Sequence, residues 1–179
     1  MRNSPIIRRA RQAHPPPPVP ADYVAEVDLE YARWSELVGL IGMLSSDELL
    51  APGYFRDPDW SVKDLVAHLR AWLAEAASQL ASVAARSYQP QDVDIDARNA
   101  EALEVARRES WESVWTGATM ARAQMLQAWF SLREPSESAN RWVRKAGAEH
   151  YGEHLDRLRE WVGELVEGRT RPPSTDWDS

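Results

Sequence analysis

Trp60-Ser61-Val62-Lys63-Asp64-Leu65-Val66-Ala67-His68-Leu69-Arg70-Ala71-Trp72 carries the clearest helix start in the chain. Ser61 followed three residues later by Asp64 resembles a capping box, and Trp60 and Leu65 stand where a hydrophobic staple would be. The apolar stripe then runs Val62, Leu65, His68 (or Leu69), Trp72, Ala76 and Leu80, at the steps of three and four that one helix face requires. A histidine therefore sits in an inward stripe. A second stretch, Ala148-Glu149-His150-Tyr151-Gly152-Glu153-His154-Leu155, holds two more histidines four residues apart. On a helix such residues stack on one face, with Cβ atoms roughly 6 Å apart. Their stripe runs Val143, Gly147, His150, His154, Leu158, Trp161, Leu165, so both imidazoles also point inward. Three inward histidines on two helices form an open metal site if the fold brings those helices face to face.

Working outward, Asp22 to Met43 reads as a first helix with Asp22 as N-cap and a stripe of Val24, Val27, Tyr31, Trp34, Leu37 or Val38, and Ile41. Ser45 to Asp59 reads as a connection, with a short helical turn at Asp47 to Leu50, because Pro52-Gly53 and Asp57-Pro58-Asp59 are breakers. The helix opened by Ser61 runs to about Arg86. Beyond Gln89-Pro90 a long helical region begins at Asp94 or Asp96, acids that suit a helix N-terminus, and breaks or kinks near Ser110. Pro135 ends it. Ser136 or Ser138 opens a last helix that carries the histidine pair and stops at Gly168, a left-handed C-cap. Residues 1–20 (Arg8-Arg9-Ala10-Arg11, His14, Pro15-Pro16-Pro17-Pro18) are basic and proline-rich, which excludes helix and favours an extended tail. His14 belongs to that tail and is not counted as a ligand. A second tail is expected over 169–179. Four long amphipathic helices over 21–168, with no alternating strand pattern, give an all-α four-helix bundle. Axes ~8–10 Å apart would let His68 meet His150 and His154.

Composition limits the chemistry. The 179 residues, with nine tryptophans and two phenylalanines, can bury a core without staples. Cysteine is absent, so a thiol can enter the chemistry only with a cosubstrate. The formal charge of -7 includes four N-terminal arginines. The remainder is more acidic still, which argues against nucleic acid as a partner. No stretch approaches the ~20 apolar residues of a membrane span, and the N-terminus lacks a secretory apolar run. A cytoplasmic protein with a small-molecule substrate is expected.

These two stretches also resemble a known family. Trp60 to Leu69 is similar to the helix-two signature of the DinB/YfiT-like superfamily, which includes the N-terminal domain of mycothiol-dependent maleylpyruvate isomerase. His150-Tyr151-Gly152-Glu153-His154-Leu155, followed by Leu158-Arg159-Glu160-Trp161, resembles the last-helix signature of that group and of its ClbS/DfsB-type four-helix-bundle branch. The resemblance covers about residues 22 to 168. It implies a divalent metal, commonly zinc or nickel, held by His68, His150 and His154. Relatives include metal-dependent thiol transferases that use mycothiol or bacillithiol. The ClbS-type branch includes proteins that open a reactive genotoxin warhead, and it need not use a metal. Dimerisation is common in the superfamily, so a homodimer is implied.

Two functional classes follow. In the first, three neutral imidazoles leave a metal position open for water or substrate, and the protein is a transferase or hydrolase acting on a small electrophile, with a low-molecular-weight thiol as cosubstrate. In the second, it is a non-catalytic or metal-independent ligand- or toxin-binding protein of stress response or self-protection, its histidines merely buried. His150-Tyr151-Gly152-Glu153-His154 also matches the H-x-x-E-H pattern of inverted zinc peptidases, with Glu153 as general base. Against that reading, little chain follows to supply a distant acidic ligand, and Glu153 lies off the stripe. Asp64, one turn before His68, is a candidate to orient its ring. Trp72 and Trp161 read as core packing or pocket lining, and Arg141, Arg144 and Lys145 as solvated charges or as a hold for a cosubstrate's carboxylates.

Overall fold

A computed structural model describes residues 21–56, 59–90, 94–132 and 134–170. The expected N-terminal tail and positions 171–179 of the C-terminal one lie outside these residues. Within them the order is α1 (Ala21–Ile41), α2 (Ser46–Leu50), β1 (Phe55–Arg56), β2 (Asp59–Trp60), α3 (Val62–Ala84), α4 (Ile95–Arg107), α5 (Trp111–Phe130), α6 (Glu137–Ala146) and α7 (Ala148–Thr170). The protein is all-α apart from one antiparallel bridge that pairs Phe55 with Trp60 and Arg56 with Asp59. Among the described residues no helix is long and apolar enough to cross a membrane.

The helix starts follow the capping chemistry. Ser61 and Asp64 form a reciprocal capping box on α3, leaving two otherwise orphaned N–H donors satisfied. Ser45 and Glu48 do the same on α2, while Asp94, Ser110 and Ser136 cap α4, α5 and α6. Trp60 and Leu65 are both buried, as a staple requires. α1 instead begins at Ala21, so Asp22 lies inside its first turn. α3 stops at Ala84, short of Arg86. Arg86 takes a left-handed φ of 55°, with its N–H donating to Val83 O at 3.0 Å and that of Ser87 to Ser82 O at 2.9 Å. This is the Schellman pattern with arginine where glycine is usual. Arg86→Gly is therefore expected to raise unfolding free energy by about 0.5–1 kcal/mol, read as a higher midpoint in urea.

Packing pairs α3 with α5 and α1 with α7, and α4 and α6 also lie against α3. Aromatic rings join the two pairs: Tyr23 stacks on Trp129 at 4.2 Å between centroids, and Trp34 on Trp115 at 5.8 Å. The inward stripe of α1 is Tyr23, Glu30, Trp34, Leu37 and Ile41. Val24 and Tyr31, expected inside, are 47% and 60% exposed, because a charged residue, Glu30, holds the inward position beside Tyr31.

The last helix is not continuous. Gly147, at φ −106° and ψ −109°, leaves the helical region and separates α6 from α7. A Cβ at Gly147 would stand 2.7 Å from the Val143 carbonyl oxygen of the preceding turn and 3.3 Å from Glu30 Cγ of α1, so the backbone break itself needs glycine there, with α1 packed close behind it. At the other end, Gly168 is not a left-handed cap: α7 runs on through it to Thr170. Arg169 secures the final turn by donating from Nε to Glu48 Oε1 at 2.7 Å and from Nη2 to Met43 O at 3.0 Å.

Candidate functional site

His68 stands two turns into α3, and His150 and His154 lie one turn apart at the start of α7. The packing brings all three to one point. One ring nitrogen from each lies within 4.8 Å of the others, and the rings are 6%, 7% and 9% exposed. His68 Nε2 and His150 Nε2 are 2.7 Å apart. The His154 ring centroid is 5.3 Å from that of His68 and 5.2 Å from that of His150. Among the described residues, no other set of three histidine or carboxylate side chains is gathered in this way.

Burial keeps these rings neutral. Desolvation pushes His68 down to about 4, opposed by the Asn99 amide. It pushes His150 down to about 3, helped by His68 and His154, and His154 to about 4, helped by His68. Near pH 7 all three imidazoles keep lone pairs to offer a metal. Below the ordinary histidine range of about 6.5 the unfolded chain takes up protons that the folded chain refuses. This contribution to stability is thus fully present above about pH 6.5 and is lost as pH falls toward 4 and 3. Metal-free protein is expected to lose several kcal/mol over that window, with replacement of the three histidines by glutamine flattening the profile of urea midpoint against pH.

His154 has a partner that the sequence did not announce. Tyr54 Oη donates to the His154 carbonyl at 3.2 Å and lies 3.3 Å from His154 Nδ1. When the hydroxyl's single proton goes to the carbonyl, the oxygen can accept from Nδ1–H, the tautomer that leaves the lone pair on Nε2. Ligand histidines are commonly oriented in this way through their other nitrogen. Tyr54 is itself fixed by the loop before α3. Its N–H and that of Gly53 both donate to Trp60 O, at 2.9 and 3.1 Å, and Arg157 of α7 donates from Nε to Tyr54 O at 2.7 Å and from Nη2 to Gly53 O at 3.1 Å. Gly53 is required there: its φ is +112°, and a Cβ would meet the Trp161 ring at 3.0 Å. Trp161 thus packs on this loop rather than in the cleft.

Asp64 does not orient His68. Its carboxylate accepts from Ser61 N at 2.9 Å and Ser61 Oγ at 2.7 Å, and stands 3.7 Å from Arg107. The Nδ1 atoms of His68 and His150 are buried without a hydrogen-bond partner among the described residues. A cleft of about 480 Å³ opens over the three rings, lined in part by Trp60, Trp72, Asn99, Trp142 and Lys145. Trp72 therefore lines the pocket. Glu153 also lines it, with an exposed side chain. Lys145 reaches the cleft while paired to Glu149 at 2.7 Å. Arg144 is held by Glu26 at 2.9 Å and Glu137 at 2.6 Å, and Arg141 is exposed. Asn99 and Trp142, which the sequence did not single out, come from α4 and α6. Their only signal was position on helices whose packing partners had not been fixed.

Comparison of the chain with protein-family models, curated proteins and solved structures finds no match.

Proposed function

We propose that His68, His150 and His154 hold a divalent metal, zinc or nickel, and that the protein is a metal-dependent transferase or hydrolase acting on a small electrophile. The observation that carries this reading is the convergence of three buried neutral imidazoles, within 4.8 Å of one another, at the floor of a cleft. Two nitrogens each ~2.0–2.1 Å from a tetrahedral zinc are about 3.3 Å apart, so small rotations that open the 2.7 Å pair and draw in the third ring complete the set. When bound, such an ion supplies Lewis acidity and a lowered pKa for water or a thiol at its open position. The chain itself provides the rest: Tyr54 orients the His154 ring, and Trp60, Trp72 and Trp142 give the cleft apolar walls. A thiol reaction calls for a low-molecular-weight cosubstrate of mycothiol or bacillithiol type, since the chain has no cysteine. This reading treats α1, α3, α5 and α7 as the rods of a DinB-like four-helix bundle and takes the protein to be cytoplasmic, with the homodimer of that family.

Protein purified without chelators is expected to contain close to one equivalent of zinc or nickel and to consume members of an electrophile panel, with a thiol raising the rate. Elemental analysis and turnover with and without thiol check both statements, and metal-free, inactive protein would refute them. A second reading, a metal-independent binding protein of ClbS-like type, has its own support. The 2.7 Å contact between His68 and His150 is itself a hydrogen bond between neutral rings, and chelators should leave ligand binding by such a protein unchanged.

A further inference from the structure

The cleft has an uneven chemistry. Trp60, Trp72 and Trp142 line it, and Ile95 at its lip is 56% exposed. Two of these indole N–H groups are already engaged: Trp72 Nε1 donates to Asn99 Oδ1 at 3.0 Å and Trp142 Nε1 to Tyr88 Oη at 3.3 Å. Trp60 Nε1 is buried away from the cleft surface with no partner among the described residues. The walls therefore offer mainly carbon. Polar atoms gather at the histidines on the floor, at the Asn99 amide, whose oxygen is taken by Trp72, and at an exposed Lys145 and Glu153. Lys145 is already neutralised by Glu149, whereas the Glu153 carboxylate adds a negative charge that disfavours an anionic ligand. A volume of about 480 Å³ lies in the range of small-molecule sites, and indole walls favour aromatic partners stacked or set edge to face.

We infer that the cleft takes a flat, uncharged, predominantly aromatic molecule with one lone-pair-bearing or electrophilic group directed at the three histidines. This inference rests on the reading above for the reactive end alone, because the walls select the body of the ligand whether or not a metal is bound. Such a molecule buries carbon against the tryptophans without stranding a charge.

The test uses two probes that are uncharged in solution near pH 7 and carry the same reactive group on different apolar bodies, 2-naphthohydroxamic acid and acetohydroxamic acid, titrated calorimetrically into zinc-loaded full-length protein. The naphthyl probe is expected to bind about tenfold tighter or better. Trp142→Ala and Ile95→Glu should each cut that preference to about threefold or less while zinc stoichiometry is unchanged. Ile95→Glu places a charge at an exposed first-turn position of α4 and leaves the core untouched, so it reports even if Trp142→Ala does not fold. Equal affinity for the two probes, or a preference that survives in Ile95→Glu, overturns the inference. If the protein takes up no zinc, the metal reading fails by itself. Quenching of tryptophan fluorescence by 2-naphthalenemethanol then decides: saturable quenching weakened by Ile95→Glu supports the aromatic cleft, and its absence overturns it.

Discussion

Arg122→Ala is expected to lower unfolding free energy by about 3–5 kcal/mol, a large share of what a domain of this size has. Glu30 is 1% exposed, and its carboxylate is met by Arg122 through two bonds, Nε to Oε1 at 2.7 Å and Nη2 to Oε2 at 2.6 Å. Tyr151 Oη donates to the same Oε1 at 3.2 Å, and the guanidinium lies 5.1 Å from the ring centres of both Tyr31 and Trp34. Removing the arginine strands a charge with only a phenol for company. Removing both charges is a different experiment, since a buried ion pair exchanged for apolar groups of similar volume is often neutral or stabilising. The double variant Glu30→Met with Arg122→Met should therefore recover most of the loss. Urea denaturation of the wild type, single and double variants checks this. A single-variant cost below about 1 kcal/mol would mean that the pair is far better solvated than its burial indicates.

The same network explains what the sequence could and could not disclose. The capping box at Ser61 depends on a few adjacent residues, so it was legible and correct, and Ser136, one of two serines offered as the start of the last helix, caps α6. In sequence Ser110 marks only a break, and the structure makes it the cap of α5. The α1 stripe was legible at Trp34, Leu37 and Ile41 but not at Val24 and Tyr31, because Glu30 occupies a core position and periodicity counts it as solvent-facing. Only a partner 92 residues away makes it an inward residue. Gly147 was misread because within a run of helix formers a glycine passes as a small stripe residue, and no neighbouring residue marks the backbone break that would set a side chain there against the Val143 carbonyl. Of the site, the three histidines were visible because i,i+4 spacing and inward stripes are local properties. Tyr54 was hidden, since it follows the Pro52-Gly53 breaker in a connection whose path is set by Arg157 on a distant helix. The sequence offers Asp64 both as the capping-box acid and as a candidate to orient the ring, and its carboxylate is committed to the cap.

His150→Ala is expected to weaken metal binding by about 10²–10³-fold, a third of a donor set whose total for structural zinc sites is ~10 kcal/mol or more, while leaving the metal-free protein folded. Its stability should change far less than that of Arg122→Ala. The lost side chain takes with it the contact to His68 at 2.7 Å, but also a buried Nδ1 that has no partner among the described residues, and these effects oppose each other. Tyr54→Phe should act in the same direction and more weakly, about 10- to 100-fold, because His154 keeps its place but loses the hydroxyl that orients its ring. Glu153→Gln should retain the metal, since Glu153 is exposed at the cleft and outside the converging set. Elemental analysis and competition with a chelator of known affinity, with circular dichroism as the control for folding, give the three values. If His150→Ala kept its metal, the convergence of His68, His150 and His154 would be only the packing of neutral rings in a core. A graded loss, largest for the histidine and smaller for the tyrosine, requires the ion to sit where the ring nitrogens meet, because helix packing alone has no reason to rank those variants by distance from that point.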